Sequence, residues 1–185
     1  MHDQAGGGAG STEVVLRPAR QADLRALCAI ERASFPTPWS ERLIAGELRQ
    51  PDATYLVATL DGEVAGFVGM WHVLDEGHIC TLAVDPRYRR RGLGELLVLA
   101  AMRHAAEIGA DAVHLEYRAG NEPAARLYEK LGFVRVGLRR GYYSDTGEDA
   151  VLARVHGLTT DERREQLDLA WERWLRERGM TVVAV

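Results

Sequence analysis

Cysteine is scarce in this sequence, and long apolar runs are missing. The two cysteines, Cys28 and Cys80, lie in a helical and a strand pattern respectively. This placement predicts buried, reduced thiols of the kind found in cytosolic proteins, and no disulfide framework. No apolar run approaches the roughly 20 residues of a membrane-spanning helix, and residues 1–12 lack the apolar core of a signal peptide. We therefore expect a soluble, cytoplasmic protein that does not bind membranes.

An excess of positive charge is also missing, as are metal-ligand clusters and nucleophile motifs. The formal net charge is −4 at pH 7, whereas nucleic-acid-binding proteins usually carry a strongly basic face. The six histidines are scattered without cysteines or carboxylates at ligand spacing, so we predict no metal site. There is no Gly-x-Ser-x-Gly elbow, and Cys80 has no nucleophile context. Direct nucleic-acid binding and covalent catalysis are therefore not expected.

The length allows one folded domain and little else. At 185 residues and 46% hydrophobic, the chain can bury a substantial core but is too short for two full domains. We expect a flexible glycine-rich tail over residues 1–12, one domain over residues 13–157 and a helical extension over residues 158–185.

Hydrophobic periodicity and turn residues predict a mixed sheet. Three neighbouring strands with short connections should be antiparallel, and a later strand-helix-strand unit requires a parallel pair. The predicted strands cover residues 14–16, 55–60, 64–74, 78–84, 112–117, 133–138 and 150–155, and the predicted helices residues 23–34, 40–50, 92–109, 121–131 and 160–178.

The last predicted helix is amphipathic. Its apolar face consists of Leu167, Trp171, Trp174 and Leu175. This face would pack on the domain itself or, alternatively, form the surface of a homodimer or of another complex.

The most informative stretch joins a strand, an arginine- and glycine-rich turn and a helix start. Asp85-Pro86 ends the strand, because proline has no backbone donor. The turn that follows, residues 89–95, reads RRRGLGE and leads into an apolar helical stripe. The first amides of such a helix have no partners within it, glycines let an anion approach closely, and arginines supply charge. The sequence therefore predicts a phosphate-binding turn.

Two common phosphate motifs do not fit this turn. A Walker loop needs Gly-Lys-Ser/Thr, whereas Gly94 is followed by Glu95 and Leu96. A dinucleotide fingerprint needs a small residue three positions after Gly94, where Leu97 stands. Both motifs are excluded.

The six residues 89–94, RRRGLG, resemble the pyrophosphate loop of the GNAT superfamily of acetyl-CoA-dependent N-acetyltransferases. Residues 115–133, LEYRAGNEPAARLYEKLGF, resemble the second half of the same superfamily, and residues 35–41 and 140–150 are similar to bacterial ribosomal-protein alanine N-acetyltransferases. The similarity covers about residues 13–156 and leaves the last helix outside it. The resemblance implies an α/β fold with a mixed, mostly antiparallel central sheet, one splayed parallel strand pair and helices on both faces.

The resemblance also implies a reaction. An acetyl group would pass from acetyl-CoA, without a metal, to the α-amine of a protein's N-terminal residue. The expected substrate is a ribosomal protein that begins with alanine, and the transfer is expected to be direct, within a ternary complex. Two alternatives stay open: acetylation of a small-molecule amine, or a non-catalytic acyl-CoA-binding module that docks through residues 160–178.

Glu116 is the expected general base. It stands in a strand of apolar and β-branched residues, where glutamate is disfavoured, on the same face as His114. The family match places the base at this position, with His78 as the alternative. The resemblance further implies that Tyr128 is the acid that protonates the CoA sulfur.

The remaining expected contacts are with the cofactor and the peptide. The resemblance implies that Leu82 to Val84 bind the pantetheine arm through their backbone, with the Val84 amide facing the oxyanion. Trp39, Tyr142 and the loop between the last two strands would shape a peptide groove. The residues expected to bind the cofactor are Leu82, Ala83, Val84, Arg89, Arg90, Arg91, Gly92, Leu93, Gly94, Glu95 and Asn121.

Overall fold

The computed structural model describes residues 13–184, so the tail predicted over residues 1–12 lies outside the described residues. The strands are β1 (Glu13–Pro18), β2 (Ala53–Leu60), β3 (Glu63–Val73), β4 (Glu76–Val84), β5 (Ala112–Arg118), β6 (Val134–Tyr143), β7 (Glu148–His156) and β8 (Thr181–Ala184). The helices are α1 (Leu24–Ser34), α2 (Glu41–Glu47), α3 (Leu93–Glu107), α4 (Glu122–Lys130) and α5 (Asp161–Arg178).

The described strands form one sheet in the order β6-β7-β5-β4-β3-β2-β1-β8. Neighbours from β1 to β4 pair antiparallel, and β7 pairs antiparallel with both β5 and β6. β4 and β5, which α3 connects, pair in parallel. This pairing confirms the predicted mixed, mostly antiparallel sheet. The sequence does not predict β8, whose four residues pair in parallel with β1. Four residues are too few to show a strand period.

Short polar signals fix several element ends. Asp61 and Gly62 have φ angles of 51° and 81°, the two positive values of a tight turn between β2 and β3. Ser40 and Asn121 cap α2 and α4, because each side chain accepts a hydrogen bond from an amide three residues on, at 3.2 Å. These residue types favour such a turn and such caps, so short-range sequence signals set these element ends.

β6 is longer than the sequence predicts. The pattern ends the strand at residue 138, whereas β6 continues to Tyr143, with its pairing to β7 interrupted after Arg139. Gly141 adopts a φ of 59°, and its amide donates to Asp149 Oδ1 at 2.8 Å. The glycine therefore bends the strand instead of ending it. As a result, Tyr142 lies on β6 and not in the loop between the last two strands.

Apolar side chains form a separate core on each face of the sheet. One core packs α3, α4 and α5 on the sheet, and the other packs α1 and α2 on the opposite face. α3 is central to the first core, because its residues 96–102 are each at most 6% exposed. Such a helix needs cover on the side away from the sheet.

α5 supplies this cover. Its Leu167 and Trp174 are 5% and 1% exposed. Arg103 of α3 pairs with Asp168 at 2.6 Å and lies over the Trp171 ring. The apolar face of the C-terminal helix therefore packs on its own domain. In the described part of the chain, no helix is long and apolar enough to cross a membrane.

Gly66→Ala tests the close packing of β3 against β4. A methyl group at Gly66 would lie 2.9 Å from the Ala83 carbonyl oxygen and 3.2 Å from the Leu97 side chain. Because a backbone carbonyl cannot easily yield, we expect the free energy of unfolding to fall by about 1–3 kcal/mol. Gly46→Ala in α2 is the control, since nothing lies within 4 Å of that site. Equal effects of the two substitutions in chemical denaturation would contradict this packing.

Candidate active site

A tight turn connects β4 to α3. Asp85 Oδ1 accepts a hydrogen bond from the Arg87 amide at 2.9 Å and opens a short 3-10 turn over Pro86–Tyr88. Arg90 and Gly92 then adopt positive φ angles of 64° and 85°. Gly92 is the N-cap of α3 and provides no side-chain capping hydrogen bond. The first amides of α3 therefore lack a side-chain partner, the arrangement that binds anions at helix starts.

The three arginines of this turn differ in their contacts. Arg89 Nε donates to the Val84 carbonyl at 3.1 Å. The guanidinium of Arg91 lies over the Tyr88 ring, 5.5 Å from its centroid. Within residues 13–184, neither Arg90 nor Arg91 forms a hydrogen bond or ion pair through its side chain. Two cations thus stand at the start of α3 without a carboxylate to neutralise them.

Gly94 leaves space beside this helix start. A methyl group at Gly94 would lie 3.8 Å from Leu127 and 3.9 Å from Val84, which are ordinary contact distances. The packing of the chain therefore does not itself require glycine here. The next residue, Glu95, is buried, and its Oε1 lies 2.7 Å from Lys130 Nζ. The two side chains form an ion pair, but they are not oriented for a hydrogen bond. This ion pair ties α3 to α4 next to the open space.

β4 and β5 separate beside the turn. Their parallel pairing ends at Ile79 opposite Leu115, although both strands continue for several residues. The register between β3 and β4 shifts at the same place, which makes Cys80 an extra residue in β4. The separation of the strands is the splay that the resemblance implies, and the bulge at Cys80 accompanies it.

Backbone groups of β4 line the resulting gap. The Asp85 amide donates to the Ala65 carbonyl of β3 at 2.9 Å, so the amide of Asp85 points toward β3. Strand residues alternate in this respect, and Leu82 and Val84 therefore direct theirs to the other side. On that side β5 no longer offers a ladder partner. An extended ligand with its own amides fits such an edge.

Glu116 lies on β5 just beyond the end of the parallel pairing. Its Oε2 is 2.6 Å from His78 Nε2, and its Oε1 is 3.2 Å from a guanidinium nitrogen of Arg139. The hydrogen bond with His78 is the largest cause that lowers the pKa of Glu116, and the charges of His78 and Arg139 add to it against the opposing effect of burial. Glu116 is therefore ionised at neutral pH, the state that accepts a proton.

A second histidine extends this network toward an open groove. The ring of His114 stacks on that of His78, with 4.4 Å between the centroids. Burial, followed by repulsion from His78, lowers the pKa of His114. Both rings border a groove of about 540 Å³ that is also lined by Trp71 and Glu76. A proton on Glu116 therefore has a route toward solvent through His78.

Tyr128 approaches the gap from the opposite face. It is buried on α4, and its ring centroid lies 5.4 Å from that of Tyr117 and 5.6 Å from that of Phe133. Tyr117 follows Glu116 on β5, and successive strand residues point to opposite faces, so Tyr128 and Glu116 flank β5 at the same level. Burial raises the pKa of Tyr128 and keeps its phenol protonated. The hydroxyl has no hydrogen-bond partner within residues 13–184.

Two segments enclose the face that carries Glu116. The α1–α2 connection holds the half-buried Trp39, and β6 holds the exposed Tyr142, which the Arg139 guanidinium approaches to 5.5 Å. The Thr37 hydroxyl donates to Asp145 Oδ2 at 3.2 Å and joins this connection to the β6–β7 turn. Trp39 and Tyr142 therefore belong to the two segments that meet over this face.

Known proteins share this fold and these motifs. Residues 24–133 match the family model described as the Acetyltransferase (GNAT) family. The chain belongs to this GNAT family. The [ribosomal protein bS18]-alanine N-acetyltransferase of Escherichia coli (strain K12) is 37% identical over 132 residues, which are 70% of this chain and 88% of that protein. An N-alpha-acetyltransferase of Sulfurisphaera tokodaii is 35% identical over 153 residues, 76% of this chain and 91% of that protein.

Solved GNAT structures agree with the fold. The crystal structure of the ribosomal-protein-S18-alanine N-acetyltransferase from Escherichia coli aligns with a TM-score of 0.74 and 34% identity over 78% of this chain and 94% of that chain. The crystal structure of Arabidopsis thaliana NAA60 in complex with acetyl-CoA aligns with a TM-score of 0.71 and 26% identity over 77% of this chain and 98% of that chain.

This GNAT protein is therefore an N-acetyltransferase with acetyl-CoA as its co-substrate. The turn between β4 and α3 follows the unpaired end of β4, and Glu116 and Tyr128 flank β5 where the parallel pairing has ended. The contacts of individual residues with acetyl-CoA and peptide stay predictions. Among residues 13–184, no group of three or more histidine, cysteine or acidic side chains is placed to hold a metal ion.

Some neighbours of the GNAT site carry no clear signal in the sequence. Arg139 reaches Glu116 only because β6 continues past its predicted end. Lys130 pairs with Glu95 across two helices that are far apart in the chain. His78 is the alternative base from the sequence, and the structure places it as the hydrogen-bond partner of Glu116. In the sequence, only Arg139 and Arg140 before Gly141 indicate a charged strand near the site.

Gly94→Ala tests whether the space at the start of α3 is kept for a ligand. The protein without ligand should keep its stability or gain up to about 1 kcal/mol, because alanine favours a helix over glycine. CoA affinity should fall about tenfold, since the methyl group would hold a phosphate away from the amides. Thermal unfolding and CoA titration measure the two effects. Unchanged CoA affinity would show that no part of the cofactor approaches Gly94.

Glu116→Gln tests the general base. The rate should fall about a hundredfold at neutral pH, where an α-amine is mostly protonated and needs a base. The ratio of parent to mutant rate should shrink above about pH 8, where the amine loses its proton unaided. The measurement is kcat/KM across this pH range. Glu107→Gln, at an exposed site at the far end of α3, is the control. A ratio independent of pH would remove Glu116 as the base.

Proposed function

We propose that this enzyme acetylates the α-amine of the N-terminal residue of a protein in the cytoplasm. The substrate that we favour is a ribosomal protein that begins with alanine. The name of the Escherichia coli relative supports this substrate. The observation that carries the proposal is the state of the Glu116 carboxylate. The hydrogen bond with His78 lowers the pKa of this carboxylate and keeps it ionised.

A weakly basic carboxylate suits an α-amine better than a side-chain amine. An α-ammonium group has a pKa of about 8, and a lysine side chain has a pKa of about 10.4. Deprotonating lysine is therefore harder by about 3 kcal/mol, since one pKa unit corresponds to about 1.4 kcal/mol. The interactions that lower the pKa of Glu116 weaken it as a base toward both kinds of amine and leave this difference of about 3 kcal/mol intact. This argues for N-terminal α-amines over lysine side chains and polyamines.

The surroundings of Glu116 favour a chain end with a small first residue. His78 and Arg139 both contact its carboxylate, and the Glu116 side chain is only 14% exposed. Trp39 and Tyr142 stand on the two segments that meet over this face. An extended N-terminus carries little bulk besides its first side chain, and alanine adds only a methyl group. Such a chain end would fit beside the crowded carboxylate.

Two residues on opposite faces supply the proton transfers. Bound acetyl-CoA supplies the thioester whose carbonyl carbon the amine nitrogen attacks. Glu116 accepts the proton that leaves the amine, directly or through one water, and the Val84 amide stabilises the oxyanion. The C–S bond then breaks, and Tyr128 donates its proton to the departing thiolate. Exchange with solvent restores both residues after each turnover.

The cysteine beside the gap does not compete as a nucleophile. The Cys80 thiol donates to the Gly69 carbonyl at 3.3 Å, and burial raises its pKa to about 11. The thiolate, which is the reactive form, is therefore scarce at neutral pH. This supports direct transfer in a ternary complex rather than an acetylated enzyme.

A peptide panel tests the proposed substrate class. Peptides of equal length that begin with alanine, serine, methionine or leucine are compared with an N-terminally blocked lysine peptide and a polyamine. The alanine peptide should have the highest kcat/KM, about a hundredfold above the blocked peptide, because 3 kcal/mol corresponds to roughly that factor. Faster acetylation of the lysine peptide or the polyamine would overturn the proposal.

Two further measurements address the protein substrate and the mechanism. Mass spectrometry of protein N-termini from cells with and without the enzyme should show one alanine-starting ribosomal protein that loses its acetyl group. Incubation with acetyl-CoA alone should leave Cys80 unmodified. An acetylated Cys80 that passes its acetyl group to the peptide would contradict direct transfer.

A further inference from the structure

The C-terminal helix reaches the phosphate-binding turn. Trp174 of α5 is 1% exposed, and its Nε1 donates a hydrogen bond to the Gly92 carbonyl at 2.9 Å. A side-chain carbon built on Gly92 would lie 2.8 Å from Trp174 Nε1 and 2.7 Å from Arg178 Nε. The end of α5 is therefore packed directly on the residue that starts α3. The family model ends at residue 133 and does not include this helix.

The end of α5 is held in place from both sides. Gly179 follows Arg178 with a φ of 58°, and its amide donates to the Leu175 carbonyl at 3.0 Å, which terminates the helix. The chain then enters β8, where Val182 pairs with Val14 of β1. Trp174 fixes the preceding turn of the helix on Gly92. The Arg178 side chain is thus displayed from an anchored backbone.

The Arg178 side chain is placed to bind an anion. It is exposed, and among residues 13–184 it forms no hydrogen bond or ion pair. Arg90 and Arg91 of the adjoining turn also lack a carboxylate partner. Guanidinium groups gathered around one turn repel one another unless an anion lies between them, and their forked donors match phosphate oxygens. The positive charge of Arg90 and Arg91, which no carboxylate neutralises, therefore continues onto α5 through Arg178.

We propose that Arg178 binds the diphosphate of acetyl-CoA and that Trp174 is a positioning residue for the Gly92 turn. The C-terminal helix is then part of the cofactor site. This inference rests on the use of acetyl-CoA and does not depend on which amine is acetylated. Its failure would leave the proposed peptide substrate untouched.

Arg178→Ala is the decisive variant, with Arg176→Ala as its control. Both arginines stand in the last turn of α5 and complement the helix dipole equally, but they point about 200° apart around the helix. Arg178→Ala should weaken CoA binding about tenfold, as expected for a lost charged hydrogen bond, whereas Arg176→Ala should have little effect. The difference should shrink as salt is added. Equal effects of the two variants would overturn the proposal.

Dephospho-CoA, which lacks the 3′-phosphate, separates the two phosphate positions. If Arg178 binds the diphosphate, Arg178→Ala weakens the binding of CoA and of dephospho-CoA by the same factor. A loss confined to CoA would overturn the diphosphate assignment and place Arg178 on the 3′-phosphate. Titration calorimetry with the full-length protein measures both ligands.

Trp174→Phe tests positioning separately from packing. Phenylalanine keeps an aromatic ring in the core but removes the indole donor to Gly92. The KM for acetyl-CoA should rise several-fold while kcat at saturating acetyl-CoA stays unchanged, because the turn is misplaced but the chemistry is not. Thermal unfolding without ligand reports any loss of stability. A variant with lower stability and an unchanged KM would show that Trp174 acts only in packing, and would overturn its assigned role.

Discussion

The site depends on the point where β4 and β5 stop pairing. A parallel pair that continued to the ends of both strands would satisfy its backbone groups within the sheet and leave no edge for a ligand. The extra residue at Cys80 interrupts the register, and beyond Ile79 the two strands separate. The backbone groups of Leu82 and Val84 then face a gap, the turn between β4 and α3 lies at its end, and Glu116 and Tyr128 flank β5 on opposite faces.

This separation requires support from the rest of the fold. One core holds β4 from the side of α1 and α2, and the other holds α3 and α4 on the opposite face. The ion pair between Glu95 and Lys130 connects α3 with α4 near the opening. Packing on both faces of the sheet therefore supports the strands that border the gap.

Local chemistry made much of this architecture predictable. The Asp61-Gly62 turn, the Ser40 and Asn121 caps and the strand-turn-helix run before Leu93 are short-range signals, and each has the expected geometry. The features that were not predictable depend on distant parts of the chain. β8 is a strand only because β1 offers an edge, and Arg139 reaches Glu116 only because β6 continues past its predicted end. The pattern of residues along the chain does not show either of these distant partners, β1 or Glu116.

Lys130 is the single lysine of the chain, and it lies against a buried carboxylate. An enzyme that transfers acetyl groups to amines thus has almost no side-chain amines of its own to modify. The one that it has is engaged in an ion pair between two helices. An amine-reactive label on Lys130 would accordingly report on this interhelical contact, which makes Lys130 a built-in probe of how firmly α3 and α4 stay together.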